Sequence, residues 1–241
     1  MHRWLSVLIS LSVISFVAFA DADEQAEKIK AKLVESFPSH TPDSITKSSV
    51  NGLYEAVYGT QVIYVTEDAR YIIQGVIMDL DDGKRDITEA SSSRARQKFM
   101  AKVNELETIS FGAEKPKHTI TVFTDIDCGY CRKLHNEMDQ YASYGIQVNY
   151  LLFPRNGLQS PSYAKAVSVW CSGDREDALT RAKNGAEMDP ENCDNPVAEH
   201  FNIGQQMGVT GTPAILTTKG DLMPGYLPAK QLAQRLDELA K

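Results

Sequence analysis

Cys128-Gly129-Tyr130-Cys131 places two sulfur nucleophiles three positions apart, directly after the apolar run Ile120, Val122, Phe123 and at the head of a stretch with helical spacing, Leu134, Met138 and Tyr141. A thiolate at a helix N-terminus faces unpaired backbone N–H groups and the positive end of the helix dipole, both of which lower its pKa. Cys128 is therefore expected to be a nucleophile at neutral pH. Two intervening residues bring Cys131 back within one turn, where it can attack a mixed disulfide formed at Cys128 and free the enzyme. Two other readings stand beside this redox one: half of a zinc ribbon and an inert structural disulfide. A ribbon would need Cys171 and Cys193 to complete it, and those two are far apart rather than a second close-spaced knuckle. Cys171 and Cys193 are expected to bond to each other, closing a loop that stabilises by roughly 3 kcal/mol in the chain-entropy picture.

That pairing requires an oxidising compartment, and the N-terminus supplies a reason to expect one. Met1, His2 and Arg3 make a basic start, Leu5 to Val17 is apolar with scattered serines, and Ala18-Phe19-Ala20 has the small-x-small form a signal peptidase accepts. Residues 1–20 read as a cleaved signal peptide, with cleavage after Ala22 the next choice, and an exported mature chain follows. All four cysteines lie in the second half of the sequence, so the first half must stand without covalent help. This asymmetry points to two domains.

The elements that position the cysteines divide in the same way. Ala26, Ile29, Leu33 and Phe37 recur at helical spacing up to Pro38; the period then changes to two over residues 44–50, 53–58, 61–66 and 70–80, an antiparallel meander. The run Ile72-Ile73-Gln74-Gly75-Val76-Ile77 is more apolar than a half-exposed strand needs and suits a dimer edge. A charged stretch over 88–107, with Phe99, Met100, Val103 and Leu106 on one side, reads as a linker helix, its alternative being an ordinary helix packed on one domain. Strands over 118–124 and 147–153, a helix over 129–144, helical segments within 160–207, short strands near 214–217 and 221–223 and a closing helix carrying Leu232, Leu236 and Leu239 give the alternation of an α/β sheet. The resulting division is 1–20 signal peptide, 21–87 N-terminal domain, 88–107 linker helix and 108–241 catalytic domain.

Composition removes other classes. The 241 residues are 42% hydrophobic and 24% charged, as in an ordinary globular protein. A net charge of −7 leaves no basic footprint for nucleic acid. Gly204, Gly208 and Gly211 form no phosphate loop, since no Lys-Ser or Lys-Thr follows. Neither a metal nor a cofactor is expected. Thr212-Pro213 opens a short apolar strand, either as a plain edge or as a cis bond beside the CxxC that offers free backbone to an extended peptide. Tyr130 is a candidate substrate contact, and His135 is expected on a solvated helix face.

The run from His118 through Cys131 with Lys133-Leu134-His135, then Phe153-Pro154-Arg155, Gly211-Thr212-Pro213 and Pro224-Gly225-Tyr226, closely resembles the DsbC/DsbG family of periplasmic disulfide isomerases over essentially the whole mature chain. Gly129 and the second cysteine pair favour its DsbC branch. The resemblance implies an α+β, cystatin-like N-terminal dimerisation domain, a linker helix and an α/β thioredoxin fold with a helical insertion, assembled as a homodimer around a shared apolar cleft. It further implies a dimer segment at Ile72-Ile73-Gln74-Gly75, with Gly75 at the interface, a structural disulfide between Cys171 and Cys193, and a cis Thr212-Pro213 bond beside bound substrate. The implied substrates are misfolded exported proteins with non-native disulfides, and the implied partner is a DsbD-like membrane reductase that keeps the CxxC reduced; chaperone activity goes with the cleft. A DsbA-like oxidase and a DsbG-like reductase or holdase are the alternatives. Two residues depart from the family pattern: Asp127, where Thr is expected, should oppose the Cys128 thiolate, and Arg132, where His is common, should favour it.

Overall fold

The computed structural model describes residues 17–83 and 85–240, with burial described from Glu24 onward. Residues 1–16 of the expected signal peptide lie outside the described residues. The described residues form two compact units: residues up to Tyr58 together with Val62–Gly75, and Gly59–Gln61 together with residues from Val76 onward.

In the first unit a helix, α1 (Val17–Ser36), precedes four strands, β1 (Ser44–Lys47), β2 (Leu53–Tyr58), β3 (Gln61–Thr66) and β4 (Ile72–Ile73), which lie in the sheet in chain order. β1 runs antiparallel to β2 and β4 antiparallel to β3. Ile29 and Leu33 of α1 pack with Tyr54, Ala56 and Val65 of the sheet to form a small core, whereas Phe37, the last residue of the expected stripe, is exposed. The fourth strand is only two residues long, much shorter than the period-two run suggested. Its Ile72 and Ile73, like the neighbouring Tyr71, are exposed at the edge of the sheet. Gly75 has open space around its Cα, with no atom within 4 Å of where a Cβ would stand.

The second unit begins with a small two-stranded ladder of β5 (Met78–Asp79) and β6 (Arg85–Asp86) and the helix α2 (Ile87–Glu105), capped by the Asp86 carboxylate, which accepts from the Glu89 N–H. Met100 and Val103 of α2 join Phe123, Leu151, Phe153, Ile203, Met207 and Leu216 in one apolar cluster. A buried arginine also fixes the helix there: Arg96 donates to the carbonyls of Met207 and Gly220 and pairs with Glu89 at 2.6 Å.

Five strands form the sheet of this unit, in the order β11-β10-β8-β9-β7. These are β7 (Ile109–Gly112), β8 (His118–Thr124), β9 (Ile146–Leu152), β10 (Ala214–Thr217) and β11 (Leu222–Pro224). β8 and β9 are parallel and every other pairing is antiparallel. Helices α3 (Gly129–Asn136) and α4 (Met138–Ser143) lead from β8 to β9. Helices α5 (Pro161–Cys171), α6 (Arg175–Lys183) and α7 (Val197–Gln206) fill the long connection from β9 to β10, and α8 (Ala229–Ala240) closes the chain. The stretch expected as one helix over 129–144 is broken at Glu137, whose φ of −103° and ψ of 15° leave the helical region. Gly204 allows α7 to lie against the sheet: a Cβ there would stand 2.6 Å from the Phe153 ring.

Candidate active site

β8 ends at Thr124, and the three residues Asp125-Ile126-Asp127 carry the chain to Cys128, which caps α3. Asp125 organises this turn although it is only 2% exposed. Its Oδ1 accepts from the Asp127 N–H at 2.8 Å, its Oδ2 accepts from the Arg155 N–H at 3.0 Å, and the Arg155 side chain pairs with it at 3.4 Å. A buried carboxylate satisfied in this way holds the loop in one shape.

The turn places Cys128 where α3 begins, with extended φ and ψ of −83° and 123° and no side-chain cap of its own, so that its sulfur stands among the free N–H groups of the first turn. Cys128 and Cys131 are both free thiols and both buried. Their titrations diverge. A hydrogen bond from the Cys131 side chain is the largest influence on Cys128; the Cys131 N–H, the Thr212 side chain and the charge of Arg155 act in the same direction, and together they outweigh burial and lower its pKa to about 5. Burial, reinforced by the Cys128 sulfur, pushes the Cys131 thiol far above the ordinary thiol range. One sulfur is thus held as a thiolate at neutral pH and its neighbour as a thiol.

Opposite the pair, the Thr212-Pro213 peptide bond is cis, and the Thr212 carbonyl lies 3.1 Å from the Cys128 sulfur as an acceptor for its S–H. Tyr130 is well exposed, and its ring stacks on Tyr226 at a centroid distance of 6.3 Å. Tyr226 in turn donates to the Glu137 carboxylate and lies beneath the Lys133 ammonium. The sequence-selected residues Cys128, Cys131, Tyr130, Thr212 and Pro213 thus border one site. Cys171 and Cys193 are not part of it; they form a disulfide with a Cα–Cα distance of 5.7 Å, which leaves neither thiol free to complete a zinc ribbon. Gly75 belongs to the other unit.

Two expectations need correction. Asp127 is expected to set its charge against the thiolate, but its carboxylate is taken up by Lys165 at 2.8 Å and Arg132 at 3.3 Å, and Arg155 is a cation that lowers the Cys128 pKa. His135 does not lie on a solvated face. It is buried against the Phe111 ring, with Thr180 Oγ1 3.0 Å from Nε2, and burial lowers its pKa to about 4. Helix α6 of the long insertion packs on α3 and brings Thr180 to His135. The sequence reading also passed over Lys183, which is 1% exposed and enters the site from α6. A signal was available: Lys183 follows Leu179 by four residues and Ala182 by one, on the buried face of its helix.

Comparison with known proteins gives the family. Residues 106–240 match the thioredoxin-like domain family and residues 18–89 match the disulfide bond isomerase protein N-terminal domain. The thiol:disulfide interchange protein DsbC of Salmonella typhimurium is 39% identical over 242 residues, covering 99% of this chain and 97% of its own. That of Escherichia coli K12 is 37% identical over 228 residues, covering 94% and 93%. The chain belongs to the DsbC family. It is a thiol:disulfide interchange protein of the isomerase type with a thioredoxin-fold domain. The DsbC of Pasteurella multocida, 36% identical, aligns over 100% of both chains. The solved structure of the thiol-disulfide exchange protein α-DsbA2 from Wolbachia pipientis, 17% identical, shares the thioredoxin fold over 63% of this chain and 97% of its own, with a TM-score of 0.51. Among the described residues no helix is long and apolar enough to cross a membrane.

Proposed function

We propose that Cys128 attacks non-native disulfides in exported proteins, forming a mixed disulfide, and that Cys131 either resolves it or stands by while the substrate rearranges. The opposite titration of two sulfurs in one helical turn carries this reading. A nucleophile ionised at neutral pH captures the substrate, and a protonated neighbour does not compete with it. The cis Thr212-Pro213 segment and the exposed Tyr130 are the proposed substrate contacts, since both border the reactive sulfur. The Cys171–Cys193 bond is proposed as structural. Reactivation of scrambled ribonuclease tests the assignment. Cys128→Ser should abolish it, whereas Cys131→Ser should accumulate mixed disulfides and keep part of the activity; full reactivation by Cys128→Ser would overturn the reading.

The setting follows from the same family. The periplasm is the proposed compartment after removal of the leader, with a DsbD-like membrane reductase returning the CxxC to the dithiol. The boundaries proposed for the domains are 21–87, 88–107 and 108–241. A homodimer formed through the N-terminal domains, with chaperone activity in the cleft between the two protomers, is supported by the exposed Ile72 and Ile73 on the edge strand β4. Gly75→Arg should give a monomer by light scattering that retains a reactive CxxC but loses most isomerase activity. A monomeric wild type, or a monomeric variant with undiminished isomerase activity, would contradict the dimer.

A further inference from the structure

A resolving thiol whose proton is held as firmly as that of Cys131 cannot attack until something accepts the proton. Cys131 is 1% exposed, so water is a poor candidate. Asp127 is paired with Lys165 and Arg132, and Asp125, whose backbone N–H hydrogen-bonds the Cys131 sulfur, has its carboxylate oxygens occupied by the Asp127 and Arg155 N–H groups and the Arg155 guanidinium. The Thr124 hydroxyl hydrogen-bonds the Cys131 side chain, and the same hydroxyl accepts from Lys183 Nζ at 2.8 Å. Thr124 and Lys183 are each 1% exposed. Lys183 makes no ion pair with a carboxylate among the described residues. Its amine lies 5.4 Å from the centroid of the Tyr150 ring.

We propose that Lys183 is the proton acceptor for Cys131, acting through the Thr124 hydroxyl as a positioning residue for the resolving step. This rests on the reading of Cys128 as the attacking sulfur. A hydroxyl between two titrating groups can reverse its hydrogen bonds. With Cys131 as thiol and Lys183 neutral, S–H donates to Thr124 Oγ1, whose O–H donates to Nζ; with the proton transferred, Nζ donates to Oγ1 and the O–H donates to the thiolate. The Cys131 thiolate then bonds to Cys128 Sγ and the bond from Cys128 to the substrate sulfur breaks. The substrate sulfur leaves as a thiolate with the electron pair. In this step Cys131 Sγ is oxidised from thiolate to disulfide, the departing substrate sulfur is reduced from disulfide to thiolate, and Cys128 Sγ stays in a disulfide throughout. Lys183 retains the proton until the pair is reduced again, when the proton returns to Cys131.

The surroundings of the amine suit this exchange. Burial lowers the pKa of Lys183 to about 8, against the opposing pull of Cys131, Asp125 and Cys128, while Arg132 acts in the same direction as burial. His135 lies close enough for the lysine charge to depress its own protonation further. A base tuned to within about one pH unit of neutrality is well placed for general base catalysis, which typically contributes on the order of a hundredfold or more.

The test is stopped-flow release of a fluorescent peptide held on Cys128 as a mixed disulfide, measured from pH 5.5 to 10 on the full chain, with the capture rate measured in parallel. For wild type, release should rise with pH and level off near the Lys183 pKa. Lys183→Met, which keeps the volume and removes the amine, should slow release at least tenfold more than capture and abolish the plateau. Thr124→Val, which breaks the relay but keeps the lysine, should do the same and covers the case in which Lys183→Met does not fold. A wild-type release rate that climbs without a plateau, or variants that release peptide with the wild-type pH profile, would overturn the proposal. Failure of the wild type to form any mixed disulfide at Cys128 would instead overturn the reading on which it rests.

Discussion

The two cysteine pairs of the C-terminal unit have the same atoms and opposite surroundings. Cys128 caps the N-terminal end of α3, facing free N–H groups, with Arg155 as its cation. Cys171 is the last residue of α5, at the negative end of a helix dipole. A thiolate formed at Cys128 is favoured by its hydrogen bonds to Cys131 and Thr212, the helix N-terminus and the Arg155 charge, which together outweigh burial, whereas one released at Cys171 would stand at the negative end of the α5 dipole. On the proposed reading, redox role follows position on a helix, and the same contrast would make Cys128 a good leaving group and Cys171 a poor one.

The largest consequence is in equilibrium with glutathione. As the glutathione ratio is made more reducing, Cys128–Cys131 should open to the dithiol at ratios that leave Cys171–Cys193 intact, as read by mass mapping of alkylated peptides. Opening of both pairs together would remove the contrast. A smaller effect is expected from breaking the second pair. Cys171→Ala with Cys193→Ala releases a loop closed over a sequence separation of 22, and should lower unfolding stability by roughly 3 kcal/mol while Cys128 keeps its reactivity. A double variant that unfolds at the wild-type denaturant midpoint would show that the bond is not structural.

The CxxC chemistry was legible because strand, turn and helix are contiguous in sequence, so that Cys128 declares its helix terminus by its neighbours alone. The alternation of β8, α3 and β9 was equally plain. What lay hidden depends on distant contacts. β7 is four residues long, too short for its alternation to stand out, and is a strand only because β9 pairs with it. His135 reads as a surface residue until Phe111 of β7 and Thr180 of α6 cover it. Asp127 reads as a charge against the thiolate until Lys165, 38 positions on, neutralises it. Lys183 meets Cys131 across the fold, hydrogen-bonded to Thr124, 59 positions before it. Sequence marks the candidate nucleophile, and tertiary packing supplies the groups that tune its pKa.

The measurement that tests the account most directly is the pH dependence of alkylation of the reduced, full-length chain, with each cysteine followed separately by mass spectrometry. Because the pKa of Cys128 is lowered, its thiolate should persist from neutral pH downward, and its reactivity should be lost only as the pH falls through about 5. Cys131 should remain unmodified throughout the neutral range. Equal modification of the two thiols, or a Cys128 titration near the ordinary thiol value of 9.0, would contradict the account.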